Sequence, residues 1–177
     1  MLSYRVLTMS LGITLAVAAA AAAQGTSTSS QPQELPIGAQ SASVGWNLQH
    51  VSEDTAPFGV TVDYANKRMR LTGDGDLVGE FNLSHFSGAT EISLMGGFRA
   101  AERVAPNLKV FGQVLAGMLH GPGFTDFCVQ PGGGVDVSIN PKFDLRIRLD
   151  FPIDIFSGGH QTGTRIGVGV AVPIGRR

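Results

Sequence analysis

From Ser41 onward the chain divides into runs in which apolar residues occupy every second position. Val44, Trp46 and Leu48 share one parity in SVGWNLQH, and Phe58, Val60, Val62 and Tyr64 share one in FGVTVDY. The same period appears in DLVGEFNLSH through Leu77, Phe81 and Leu83, and in EISLMGGFRA through Ile92, Leu94 and Phe98. A fifth run, KVFGQVLAGMLH, is apolar on both parities. The sixth is CVQPGGGVDVSI, with Val129, Val135, Val137 and Ile139 in phase, and the eighth is RIGVGVAVPI. The seventh, KFDLRIRLDFPIDI, is the longest: Phe143, Leu145, Ile147, Leu149 and Phe151 alternate with Asp144, Arg146, Arg148 and Asp150. A period of two places successive side chains on opposite faces of a strand. The segments SEDTAP, ANKR, FSGAT, AERVAPN, HGPGFTD, NPK and SGGHQTGT carry turn chemistry and separate the runs. Eight strands with short connections predict sequential antiparallel pairing, and an even number allows closure into an up-and-down barrel.

The NPK turn makes the register testable. If Asn140, Pro141 and Lys142 form a three-residue hairpin loop, Ile139 faces Phe143 and Asp136 faces Arg146. A bulge would move Asp136 toward Arg148.

The remaining question is which face meets water. The polar parity carries Asp63, Glu80, Glu91, Arg99, Asp136 and Asp144, then Arg146, Arg148, Asp150 and Arg165, interspersed with glycines. The three lysines, Lys67, Lys109 and Lys142, lie in or beside turns. Paired acids and arginines among glycines suit a crowded barrel interior, which at eight strands is just wide enough for side chains. On lipid, each arginine would cost roughly 2–4 kcal/mol near the midplane. The apolar parity of the last two strands therefore faces lipid: Phe143, Leu145, Ile147, Leu149 and Phe151, then Ile166, Val168, Val170 and Val172. A run alternating over about thirteen residues also exceeds the usual soluble strand of about five or six. The competing solution is a secreted soluble barrel of lipocalin type, with the apolar face lining a ligand cavity.

Composition narrows the field. Charged residues make up 15% of the 177-residue chain and the formal net charge is −1, which offers nothing to a nucleic acid. The single cysteine, Cys128, rules out an internal disulfide. Arg5, an apolar run from Val6 and the small residues Ala21 to Ala23 form the pattern of a secretory signal peptide over residues 1–23. Residues 24–40, rich in Ser and Thr and broken by Pro32 and Pro36, read as a disordered polar linker. The barrel then spans residues 41–175.

The stretch from GGGVDV through LRIRLDF to RIGVGVAV, with VGEFNLSHFSG upstream, resembles small bacterial outer-membrane β-barrel proteins of the eight-stranded, porin-like or membrane-anchor type. The resemblance covers about residues 41–175. It implies an outer-membrane location, the bilayer and the barrel-assembly machinery as partners, no cofactor, and a structural, surface-interaction or narrow-pore role. Such barrels usually end on an aromatic residue, whereas this sequence closes with Ile174, Gly175, Arg176 and Arg177.

Other candidate chemistry is sparse. His50, His85 and His120 each follow an odd-numbered run, and His160 is expected in the loop after the seventh; all four belong to one rim, where imidazoles suit metal binding or pH sensing. No nucleophile–base spacing accompanies Asp126 and His120 or Ser157 and His160, so an enzyme is not expected. TGDGD (Thr72 to Asp76) lacks the closing Glu of a calcium loop. PGGGVD precedes no helix and is no phosphate loop.

Overall fold

The computed structural model describes residues 40–51, 54–66, 75–140 and 142–174. The expected signal peptide, nearly all of the linker, most of the ANKR–TGDGD connection and Pro141 lie outside these residues. Among the described residues nine strands follow one another: β1 (Gln40–Val51), β2 (Asp54–Asn66), β3 (Gly75–Phe86), β4 (Ala89–Ala105), β5 (Leu108–Gly121), β6 (Phe124–Asn140), β7 (Phe143–Asp150), β8 (Ile153–Phe156) and β9 (Gly159–Ile174). Each pairs antiparallel with its chain neighbour up to β7. Both β7 and β8 then lie between β6 and β9, and β9 pairs with β1. The β7–β8 pair forms one stave, so the chain is a closed eight-stave antiparallel barrel.

The seventh run, expected as one unbroken strand, is interrupted at Phe151–Pro152. Proline has no N–H for the ladder. The wall stays closed there through Phe151 N–H to the Pro131 carbonyl and Gly163 N–H to the Pro152 carbonyl, each 2.8 Å. Several strands also run further than the turn chemistry suggested. Asp54 to Pro57 belong to β2, Ala101 to Ala105 to β4, and His160 to β9 rather than to a loop. The turns are correspondingly tight. Gly88, Gly123 and Gly158 each take the second turn position with φ of 94°, 85° and 134°, which L side chains rarely adopt.

The NPK hairpin keeps its central register, Asp136 opposite Arg146, but Asn140 rather than Ile139 faces Phe143. Ile139 is the extra residue of a bulge. Asn140 Oδ1 accepts from Lys142 N–H and Phe143 N–H, so this side chain closes the turn.

A fourteen-residue strand is about 47 Å long, and tilted by about 40° it rises about 36 Å. That exceeds the apolar band of about 25 Å on outer-membrane barrels. The strand ends therefore reach beyond the belt at both rims.

Candidate functional site

Burial alternates residue by residue along the staves, and the buried parity points into the lumen. Side chains of the other parity leave the barrel. Leu94 is 68% exposed, Val114 56%, Phe58 53% and Ile166 50%, so the outer wall is apolar on every side. Ile147, Val168, Val170 and Val172 are likewise exposed, while Phe143, Leu145, Leu149 and Phe151 are half-buried on the same parity.

Inside, eight of the ten buried charged residues form one connected cluster. At the level nearer the termini, Arg146 donates from Nε and Nη2 to the two oxygens of Asp136, at 2.7 and 3.0 Å. Its Nη1 donates to Asp63 at 3.0 Å. Asp63 also accepts from Arg99 Nη1 at 3.1 Å and from the Ser43 hydroxyl at 2.5 Å. Arg99 turns its other nitrogens to Gln113 Oε1, whose amide then donates to Asp150 at 3.1 Å. The guanidiniums of Arg99 and Arg146 lie 4.7 and 4.9 Å from the centroid of the Phe111 ring. A ring face attracts cations, so Phe111 and Asp63 together hold two like charges in proximity.

One level further along the axis, Glu80 accepts from Arg148 Nη2 at 2.7 Å, from Arg165 Nη2 at 2.5 Å and from Gln130 at 3.3 Å. Arg148 Nε lies 2.8 Å from Asp150, and Arg165 Nη2 lies 3.2 Å from it. Arg148 also approaches Asp63 at 3.6 Å, which joins the two levels. The eight residues named are four carboxylates (Asp63, Glu80, Asp136, Asp150) and four guanidiniums (Arg99, Arg146, Arg148, Arg165), whose formal charges cancel; Asp76, opposite Arg99, and Asp154, toward the far rim, are buried as well. Burial of unpaired ions is costly, and each of the eight has at least one partner.

Beyond Glu80 the lumen carries a chain of amides and hydroxyls, with Asp154 buried and Glu91 half-buried on the same inward parity. Asn47 Nδ2 donates to Thr61 and Asn82 at 2.8 Å, Asn82 Nδ2 to Ser84 at 2.9 Å, and the Ser84 hydroxyl to Gln49 at 3.2 Å. Val51, Ala56 and Phe86 then form an apolar cluster at the rim away from the termini. A second cluster lines one side of the lumen: Ala65, Val78, Met95, Leu115, Leu119 and Cys128.

One cavity beside Ser43, Thr61, Arg146 and Arg148 and another beside Gln49, Gln130 and Asp154 each hold about 10 Å³, room for roughly one water. Phe111, Arg146, Arg148, Arg165 and their partners fill the lumen at the level of the ion pairs. Glycine in the wall makes this possible. A Cβ on Gly134 would run into the Ile147 carbonyl and the Phe111 ring, and one on Gly132 into the Asp150 carboxylate.

Of the ten charged residues placed inside by sequence, eight enter the buried network. Asp144 stays at the terminus-side rim, 3.9 Å from Lys109, which also reaches Asp136 at 3.6 Å. Glu91 lies at the far rim with the charges of Asp154, Asp54 and Asp126 near it, away from the arginines. Alternation did not single out Phe111, Gln113, Gln130 or Ser43. The fifth run is apolar on both parities, which hid Phe111, and amides and hydroxyls are common on any strand face.

The four histidines share the rim away from the termini, one on each of four hairpins, and all are exposed on the outer parity. They are not gathered into one site. Among the described residues, no three His, Cys, Asp or Glu side chains are placed to hold a metal ion.

No family model and no curated protein matches this sequence. Solved structures do. Neisserial surface protein A (NspA) superposes with a TM-score of 0.61 at 11% identity, over 77% of this chain and 97% of that one. The Yersinia pestis outer membrane protein Ail gives 0.49 at 18% identity, over 77% and 99%. The N-terminal β-barrel domain of Pseudomonas aeruginosa OprF gives 0.46 at 15%, over 76% and 98%. The likeness to NspA shows the fold, that of a small outer-membrane-type β-barrel.

Proposed function

We propose that this chain is an exported bacterial outer-membrane barrel with a sealed lumen, serving a structural or surface-interaction role rather than conduction or catalysis. Residues 1–23 act as its signal peptide, residues 24–40 as a polar lead-in, and residues 41–175 as the membrane domain that the barrel-assembly machinery inserts. The observation that carries the reading is the charge-neutral Asp/Glu–Arg network across the lumen, enclosed by a wall that is apolar outside. In water, the exposed apolar wall would forgo about 1.5–3 kcal/mol for each large side chain that a bilayer would cover. In lipid, both parities are satisfied.

The lipocalin-type alternative needs an apolar cavity, and the space where its ligand would lie is filled by Arg146, Arg148, Arg165 and their partners. A narrow pore would have to pass the same network. Fractionation and planar-bilayer recording test the proposal together. The protein is expected with membranes, shifting in gel mobility on heating and giving no steady conductance steps. Recovery in the soluble fraction, or regular nanosiemens steps, would overturn it.

A further inference from the structure

The outer wall carries a repeated device at one rim. His50, His85 and His120 are evenly spaced along the chain, one before each of three successive hairpin turns at the rim away from the termini. Each faces a threonine across its turn, and Nδ1 shares a hydrogen bond with that hydroxyl: Thr55 at 2.8 Å, Thr90 at 2.9 Å and Thr125 at 2.8 Å. The fourth hairpin keeps the position with the order reversed, His160 standing opposite Ile155. The imidazoles belong to the lipid-facing parity. His85 lies opposite Phe58, His120 opposite Ile92 and His160 opposite Ile155, so these three sit at the edge of the apolar belt, while His50 stands between Thr55 and Thr164. With Nδ1 held by threonine, Nε2 remains without a protein partner among the described residues.

Most charged neighbours face the lumen rather than this collar; the nearest exception is Asp54, whose Oδ1 accepts from Thr55 N–H at 2.8 Å beside His50. Glu91 on β4, Asp126 on β6, Asp154 on β8 and Arg165 on β9 all have lumenal parity, and Asp54 lies at the rim opposite the inward Val51. No carboxylate occupies the outer parity beside the histidines among the described residues. An imidazole gains a positive charge on protonation, so each protonated ring adds a cation to this rim. Its height, at the end of the apolar belt, is that of the lipid headgroups.

We infer that His50, His85, His120 and His160 form an outward-facing collar that binds the phosphate groups of anionic lipid headgroups, and does so more strongly as pH falls. At His50, His85 and His120 the threonines orient the rings, so that protonation presents an Nε2–H at the headgroup level while Nδ1–H donates to the hydroxyl. Positive charge at a membrane surface favours acidic lipid by about 1 kcal/mol per charge, or about fivefold.

This inference rests on the membrane-barrel reading, and its test separates the two. The full chain is reconstituted in phosphatidylcholine vesicles, with insertion verified by the heat-dependent gel shift. Electron paramagnetic resonance then compares boundary association of spin-labelled phosphatidylglycerol and spin-labelled phosphatidylcholine at about pH 5.5 and about pH 8. The wild-type chain is expected to prefer phosphatidylglycerol at least about twofold more at the lower pH, and the quadruple variant H50Q/H85Q/H120Q/H160Q to lose that increment. Should the quadruple variant not fold, the four single His→Gln variants are each expected to remove part of it. An inserted wild-type barrel whose lipid preference ignores pH, or an increment that survives in the folded His→Gln variants, would overturn the inference. Failure to insert would instead overturn the membrane reading.

Discussion

Replacing Glu80 by Gln removes one charge from the centre of the network while nearly preserving shape. Glu80 is 1% exposed and accepts from Arg148, Arg165 and Gln130. After the change Arg148 keeps Asp150 at 2.8 Å and Asp63 at 3.6 Å, and Arg165 keeps Asp150 at 3.2 Å. Three carboxylates then face four guanidiniums in the buried cluster. Breaking a buried pair by neutralising one partner typically costs about 3–5 kcal/mol, since it leaves an uncompensated charge. The surviving contacts to Asp150 place Glu80→Gln toward the lower end, about 3 kcal/mol. Equilibrium urea unfolding in a folded-state-compatible detergent or bilayer reads this as a lower midpoint at unchanged slope. Combining it with Arg165→Gln restores the balance of three and three, so the double variant is expected to be at least about 0.5 kcal/mol more stable than the sum of the singles predicts. A Glu80→Gln cost below about 0.5 kcal/mol, with additive singles, would refute the argument that mutual neutralisation holds the lumen together.

Three further outcomes follow from the same geometry. Leu94→Arg, on the outward parity, is expected to destabilise the inserted barrel by about 2–4 kcal/mol, whereas Ile174→Arg at the end of β9 costs about 0–1 kcal/mol; the two unfolding midpoints in bilayers should separate accordingly. Gly134→Val is expected to cost about 1–3 kcal/mol or more, because its side chain meets the Ile147 carbonyl and displaces the Phe111 ring, and heat-dependent gel mobility will show a lower transition temperature. Removing the Phe111 ring with Phe111→Leu is expected to destabilise by about 1 kcal/mol or more through lost cation–π contacts to Arg99 and Arg146, read in the same unfolding assay.

How much of this was legible in the sequence depends on distance along the chain. The turn count at NPK places Asp136 opposite Arg146, and that pair forms even though Ile139 bulges, because the bulge lies at the hairpin end and leaves the central register intact. Alternation likewise assigns each strand residue to a face. It carries no information about which inward side chains meet across the lumen. Glu80 meeting Arg165, or Asp63 meeting Arg146, depends on closure of β9 onto β1 and on stagger between staves. The apolar side of the lumen was hidden for a related reason. Met95, Leu115 and Cys128 share their parity with Arg99 and Gln113, and a strand reading by period alone treats such residues as noise. The strand break at Pro152 and the placement of His160 in β9 reflect local hydrogen bonding that turn-prone composition does not reveal.

Trp46, the single tryptophan, gives the most direct test of orientation. It is 44% exposed on the outer wall, between Val60 and Val168 on the adjacent staves. Reconstitution into vesicles of bromine-labelled phosphatidylcholine is predicted to quench its fluorescence strongly, while aqueous iodide leaves it nearly unchanged. Emission that iodide quenches and brominated chains leave untouched would contradict an apolar wall facing lipid around an ionic lumen.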